Sequence, residues 1–490
     1  MKQPIALTIA ATDSSSGAGI SADLATFAYF GVHGCQVISK VTAQNTCGIS
    51  DSFQIPIDNF KLQLSAIMDE FKPQYAKLSV IGNFSQLNFL VEFFSQNHTI
   101  LVYDPIFKSS STNNLTDETL TSIIYKKLLP LVTLITPNIP EAEFLTGIKI
   151  NNINDMLSSG YKLLKLGVQN VLIKGGHLNN QEPALDLFMN NTQFFCLSNT
   201  RQIKIHHVHG TGCHLSSAIV ANLALGLDLN NAVTISKAYI NGCIRNSYEL
   251  GTTQRQFFIR ASQFKITHHD FPIITQSIDN KTQINHSFRK IEHIGLYPIV
   301  ENVHWVECLA KQGVKTIQLR IKNALVMEVE NQIIQSINIA NAYSINLYIN
   351  DYWQLAIKHN AYGVHLGQED LEHANIKQIQ EKGLMLGIST HSYYELAKAL
   401  YYQPSYIALG PIYPTTSKVM TFSEQGTHRL REWQDLCNIP LVAIGGINLD
   451  NVDEVLSTDT KNIAVISAIT KDKNLTQTII DFSNKINTAI

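Results

Sequence analysis

The spacing of hydrophobic positions changes rhythm about midway along the chain. In the first half, short apolar runs at 5–11, 36–41, 76–81, 100–106, 132–136 and 170–174 read as buried strands. Stretches of helical period separate most of them, among them 22–30 and 153–166. This alternation predicts a largely parallel sheet covered on both faces. Runs at 185–189 and 193–197 predict a hairpin, and the apolar run 215–225 predicts a buried helix behind the turn His209-Gly210-Thr211-Gly212-Cys213. Eight shorter runs follow in the second half, at 296–300, 316–319, 347–349, 363–366, 384–388, 406–409, 441–444 and 463–466. Most end in polar or glycine residues, which predicts a (β/α)8 barrel with its chemistry gathered at the C-terminal ends of the strands.

Between about 251 and 291 the periodicity decays into polar sequence. We therefore expect one domain over 1–270, a linker over 271–289 and a second domain over 290–490. A chain of 490 residues exceeds what one core usually supports. A formal net charge of −2 gives no electrostatic reason to expect nucleic acid or an anionic membrane as partner. Seven scattered cysteines without a Cys-x-x-Cys pair argue for a reducing compartment. The apolar start of the chain reads as a strand rather than a signal peptide, and no run is long enough to span a bilayer, so a cytoplasmic location is expected. Homo-oligomerisation stays open.

The glycines of the His209–Cys213 turn permit close approach of backbone amides to an anion at the positive end of the following helix. The strand–loop–helix turn Thr12-Asp-Ser-Ser-Ser-Gly-Ala-Gly-Ile20 could present amides in the same way. Further along come Asp23, Gln44-Asn45-Thr46, Asp104-Pro105, Thr136-Pro-Asn138-x-x-Glu141 and Lys174-Gly-Gly-His177. In this order the series resembles hydroxymethylpyrimidine/phosphomethylpyrimidine kinases over roughly 4–270. The resemblance implies a ribokinase-like αβα sandwich that phosphorylates hydroxymethylpyrimidine and then its monophosphate, with ATP as co-substrate and Mg2+. It implies that Asp23 and Gln44 hydrogen-bond the aminopyrimidine and that Asn138, Glu141 and Asp104 serve magnesium and the nucleotide phosphates. Lys174 would meet phosphate charge, Gly210 and Gly212 would form the anion hole, and Cys213 would be the base. A helix N-terminus is expected to lower that thiol from its usual pKa of about 8.5. His206, His207 and His209 form no expected metal site, since no partner carboxylate is apparent. Ala11, Ser16 and Val80 depart from the family pattern, which has glycine at the first two positions and methionine at the third.

The second half carries Gln318-Leu-Arg320-Ile-Lys322, Asn350-Asp351, Gly363-Val-His365-Leu-Gly-Gln-Glu-Asp370, Gly387-Ile-Ser389, Gly410-Pro-Ile-Tyr-Pro-Thr415-Thr-Ser417-Lys418, Gly445-Gly446 and Ile466-Ser467. These motifs resemble thiamine-phosphate synthase over roughly 290–490. The resemblance implies a TIM barrel that joins hydroxymethylpyrimidine diphosphate to thiazole phosphate. Asp351 and Asp370 would bind magnesium. Arg320, Lys322, Asn350, Lys418 and Ser389 would hold the diphosphate, and Thr415, Ser417, Gly446, Ile466 and Ser467 the thiazole phosphate. The expected whole is a multifunctional transferase of thiamine biosynthesis acting on small molecules. Three rivals remain at this point: a pyridoxal-type kinase, a thiazole tautomerase-like barrel and a precursor-binding regulator.

Overall fold

The computed structural model describes residues 3–45, 47–106, 124–176, 184–199, 208–250, 256–259, 261, 263–276, 287–291, 293–322, 325–414 and 424–489. Two compact units, Met1–Thr282 and Gln283–Ile490, divide the chain.

The first unit is built on a ten-stranded sheet. Its strands are β1 (Ile5–Ala11), β2 (His33–Asn45), β3 (Gly48–Gln54), β4 (Tyr75–Leu78), β5 (Ile100–Tyr103), β6 (Leu134–Ile135), β7 (Asn170–Ile173), β8 (Ala184–Met189), β9 (Phe194–Asn199) and β13 (Ile273–Thr275). They lie in the order β13-β9-β8-β7-β6-β5-β4-β1-β2-β3. The six from β7 to β2 are parallel, as the alternating pattern predicts. Since β1 lies between β4 and β2, the chain reverses its lateral direction there and opens a crevice at the strand C-termini. Asparagines mark several helix starts: the side chains of Asn83, Asn138 and Asn152 each accept from a first-turn amide. Helix Thr211–Ala224 is buried on nearly every side from Cys213 to Leu223, which explains why it carries no acidic residue, lysine or arginine and why its polar residues are small or hydrogen-bonded. A small sheet of β10 (Val208–His209), β11 (Tyr248–Leu250) and β12 (Gln256–Phe258) accompanies the large one.

Two features differ from the sequence-based expectation. β2 runs past the end of β1, where Ala11 pairs with Lys40, and folds back as the antiparallel β3. β3 was not anticipated because it is exposed along most of its length and shows no apolar alternation. The expected linker also starts too early. β13 pairs with β9 inside the first unit, and Asp270, 1% exposed, takes two 2.7 Å bonds from Arg245 just before it. At the far side Phe288 is buried and its amide bonds Gln403, so the linker also ends sooner.

The second unit is a closed barrel of β14 (Leu296–Val300), β15 (Thr316–Leu319), β16 (Asn346–Asn350), β17 (Gly363–Leu366), β18 (Met385–Thr390), β19 (Tyr406–Leu409), β20 (Leu441–Ile444) and β21 (Ile463–Val465). Tyr297, Tyr348 and Tyr406 fill its interior edge-to-face, with ring centroids 5.4 to 5.9 Å apart. Gly363 and Gly387 make room for them: a Cβ on either would overlap Tyr348 or Tyr406. No helix among the described residues is long and apolar enough to cross a membrane.

Candidate active sites

A cavity of about 370 Å³ opens at the crevice of the first unit. The hairpin β2–β3 lines one end with Thr42, Gln44, Ile49 and Ser52. The ends of β5, β6 and β7 line the other with Asp104, Asn138, Glu141 and Lys174. Between them lie the loop after β1 and residues 209–213. Gly210 caps the buried helix at φ 81°. A Cβ there would overlap the Gly17 carbonyl, so both the left-handed backbone and the close approach require glycine. A Cβ on Gly212 would come within 3.1 Å of the Lys174 ammonium.

Electrostatics concentrate at the β5–β7 end. Lys174 Nζ donates to Asp104 Oδ1 at 2.8 Å, and Thr136 and Ser216 donate to the same carboxylate. Burial alone would raise Asp104, but Lys174 and Lys77 hold it below the ordinary carboxylate range. Burial of Lys174 is likewise outweighed by Asp104 and Glu141, which raise its pKa. Asn138 and Glu141 form a reciprocal capping box, with bonds of 2.7 and 2.9 Å. Burial pushes Glu141 up to about 7 against Lys174, with Asp104 adding to the rise.

Cys213 corrects an expectation. Burial, with Asp23 and Asp104 nearby, pushes its thiol up to about 11; Lys77 and the Gly19 amide oppose this without prevailing. The low dielectric and neighbouring carboxylates outweigh the Lys77 ammonium and the Gly19 amide.

Asp23 is placed apart from the other anticipated pyrimidine residue, Gln44. It does not line the cavity but is fully buried beneath it, bonded to Lys77, Thr8 and Ser217. Lys77, also fully buried, reaches from β4 to donate to the Cys213 carbonyl at 3.3 Å. His209 has the carboxylate partner that seemed absent: its Nε2 lies 2.9 Å from Asp13 Oδ2. Asp13 also accepts from Ser15 and Ala18, tying the loop after β1 to the glycine turn. Ser16, in that loop, sits at φ 60°, where a glycine would be unstrained. Among the described residues no three His, Cys, Asp or Glu side chains group as a metal site.

In the barrel the anticipated residues follow the strand ends. Arg320 and Lys322 follow β15, buried Asn350 ends β16, and Asp351 comes next at φ 64°, its amide bonded to the His365 carbonyl. Asp370 lies just beyond β17, Ser389 on β18, Gly446 just beyond β20, and Ile466 and Ser467 after β21. Thr415, Ser417 and Lys418 lie outside the described residues, as do Thr46, His177, His206 and His207. A chain of bonds assigned no role from sequence runs from the interior to this face. Gln318 donates to Tyr297 at 3.1 Å, Tyr297 and Tyr406 hydroxyls meet at 2.8 Å, and His365 bonds Tyr406 and Ser389 at 2.7 Å each. Burial, with Arg320 nearby, lowers His365 to about 3, so its imidazole is neutral. The signal was residue type: Tyr, His and Gln at positions where a barrel interior otherwise takes aliphatic side chains.

A doubly wound sheet with an amide-lined crevice, joined in sequence to a closed eight-stranded barrel with acids and cations at its strand ends, defines a ribokinase-like kinase fused to a TIM-barrel transferase. Residues 13–257 match the phosphomethylpyrimidine kinase family and 296–469 the thiamine monophosphate synthase family. A chloroplastic thiamine biosynthetic bifunctional enzyme of Arabidopsis thaliana is 30% identical over 483 residues, covering 96% of this chain and 90% of its own. A thiamine-phosphate synthase of Yersinia pestis is 53% identical over 180 residues, 36% of this chain and 84% of that one. Among solved structures, an ADP complex of Bacillus subtilis pyridoxal kinase aligns with a TM-score of 0.50 at 29% identity, over 53% of this chain and 98% of that one. The AMP-PCP complex of Staphylococcus aureus pyridoxal kinase aligns with a TM-score of 0.51 at 28% identity, over 56% of this chain and all of that one. The chain belongs to the bifunctional thiamine-biosynthesis enzymes, with a phosphomethylpyrimidine kinase domain followed by a thiamine-phosphate synthase domain.

Proposed function

We propose that the kinase cavity seats hydroxymethylpyrimidine, or its monophosphate, at the β2–β3 end and ATP at the β5–β7 end, with phosphoryl transfer at the turn between them. The carrying observation is that one crevice joins Gln44, the Gly210–Cys213 turn and the Lys174–Asp104 pair. Gln44 can both donate to and accept from the aminopyrimidine. The turn amides face developing phosphate charge, and Lys174 adds a cation. Cys213 is assigned to the acceptor hydroxyl. At about 11 the thiol of the free site is protonated at neutral pH, so proton abstraction by sulfur requires the bound state to lower it. The loose transition state of phosphoryl transfer asks little of a base before the new bond begins to form.

The acids present suit magnesium, a hard cation that takes one or two carboxylates and completes its shell with phosphate oxygens and water. Asp104, Asn138 and Glu141 would hold it in the kinase, and Asp351 and Asp370 in the barrel, where the buried Gln368 Oε1 nearby also lacks a partner among the described residues. Bound there, it would offset the charge of transferring or departing phosphate. In the barrel, Arg320, Lys322 and Lys418 neutralise the diphosphate as it leaves, Asn350 supports it by hydrogen bonding, and Ser389, fixed by neutral His365, faces the pyrimidine. The pyrimidine methylene, left cationic, is captured by the thiazole nitrogen. Thr415, Ser417, Gly446, Ile466 and Ser467 hold the thiazole phosphate. The cytoplasm is the proposed compartment, supported by seven free cysteines.

Mass spectrometry of one reaction holding hydroxymethylpyrimidine, thiazole phosphate, ATP and Mg2+ tests this assignment. Thiamine phosphate is expected; pyrimidine phosphates alone would remove the barrel's role. The likeness to pyridoxal kinases favours a second reading, in which the same cavity also phosphorylates pyridoxal. Parallel assays at equal concentrations of the two acceptors separate the readings.

A further inference from the structure

Lys40 is a cation that the kinase chemistry described above leaves without a task. It lies on β2, 7% exposed, and its side chain lines the cavity beside Thr42, Gln44, Ser52, Ser79 and Val80. Its ammonium has no hydrogen-bond or ion-pair partner among the described residues. A charged group held away from water is costly unless something satisfies it. Asp13, Asp104 and Glu141 also line the cavity, yet each is engaged with other groups. Burial lowers the pKa of Lys40, consistent with a group awaiting its partner.

Position identifies that partner. β2 stands three strands from β5 and five from β7 in the sheet order. At about 4.8 Å per strand, Lys40 is based about 14 Å from the strand carrying Asp104 and about 24 Å from the strand leading to Lys174. That is away from the phosphate-handling end; Gln44 stands four residues further along the same strand, about 13 Å away, and lines the same cavity, so one ligand between them can meet both side chains. An ammonium donates and never accepts, whereas an amide does both. The exocyclic amine of a pyrimidine therefore suits Gln44, and a ring nitrogen, a pure acceptor, suits Lys40. We propose that Lys40 determines specificity in the kinase site by donating a hydrogen bond to a ring nitrogen of the pyrimidine substrate. This rests on the β2–β3 end being the pyrimidine subsite.

The test is steady-state kinetics of the full chain carrying Lys40→Met, Lys40→Arg or Gln44→Ala. Loss of a hydrogen bond to a charged group predicts that Lys40→Met raises KM for hydroxymethylpyrimidine about 10- to 100-fold. KM for ATP should stay within about twofold, which reports that the kinase unit itself is folded, and Lys40→Arg should restore part of the loss. A raised KM in Gln44→Ala with none in Lys40→Met overturns the Lys40 assignment alone. No change in either variant overturns the subsite reading and the assignment with it. A rise confined to the monophosphate substrate overturns the ring-nitrogen contact in favour of a phosphate contact. If Lys40→Met has no measurable turnover, calorimetry decides. Lost pyrimidine binding with retained ADP binding supports the proposal, and loss of both overturns it.

Discussion

Cys213 is at once the first-turn residue of a buried helix and the neighbour of two carboxylates. The Lys77 ammonium and the Gly19 amide favour a thiolate, but burial with Asp23 and Asp104 nearby favours the thiol more. Since its pKa is raised to about 11, the thiolate fraction at pH 8 is small and grows only as pH climbs toward that value. Alkylation of the ligand-free enzyme by iodoacetamide should therefore be slow at Cys213 at pH 8 and accelerate steeply above pH 10. Exposed Cys47 should react well before it. Peptide mass spectrometry reads both rates, and rapid labelling of Cys213 at pH 7 would refute the assignment. Ser16 is a residue whose backbone, rather than its side chain, decides its fitness. At φ 60° a non-glycine residue carries roughly 1 kcal/mol of strain, so Ser16→Gly should leave the first unit's stability unchanged or raise it by up to about 1 kcal/mol. Denaturant unfolding measures this, and a loss beyond about 1 kcal/mol would mean that the hydroxyl outweighs the strain.

At the scale of elements, the glycine turn and the helix behind it act as one piece, held from beneath. Gly210 has no space for a methyl group, and Lys77 grips the Cys213 carbonyl while paired with Asp23. Gly210→Ala should displace the turn and remove most kinase turnover, while synthase turnover with supplied diphosphate persists. Wild-type kinase rates in that variant would show that the turn amides are not the anion site. Lys77→Met should cost the first unit about 3–5 kcal/mol, because Asp23 would stay buried without its cation. A Lys77→Met unfolding curve that matches wild type would show that the pair is not holding the turn. The capping box at Asn138 shows why a motif alone is ambiguous. Its two side chains complete a helix start and line the cavity together, and spacing in sequence cannot separate those tasks.

At the scale of the whole molecule, two separate compact units carry the two activities, so damage in one should spare the other. Cys213→Ala should suppress pyrimidine phosphorylation and leave condensation of supplied diphosphate with thiazole phosphate intact. Asp351→Ala should do the reverse, and coupled against uncoupled assays separate the two. Loss of both activities from either change would mean that the units depend on each other.

The strands buried on two faces in the large sheet and the barrel were legible from the sequence, because burial on both faces demands predominantly apolar runs. The sequence likewise determined the barrel count and the clustering of polar residues at strand ends. β3 and β13 escaped it, one being exposed and the other a short edge strand set in polar sequence beside Pro272, so neither stands out as an apolar run. Tertiary structure alone decided which charged residues face the cavity. Asp23 and Lys40 look alike in sequence, each a polar residue within an apolar element. Asp23 meets Lys77 from β4 and is consumed by that pairing, whereas Lys40 emerges where β2 outruns β1 and meets open space. A side chain's charge is written in the sequence, but its partner comes from whichever strand the fold lays beside it.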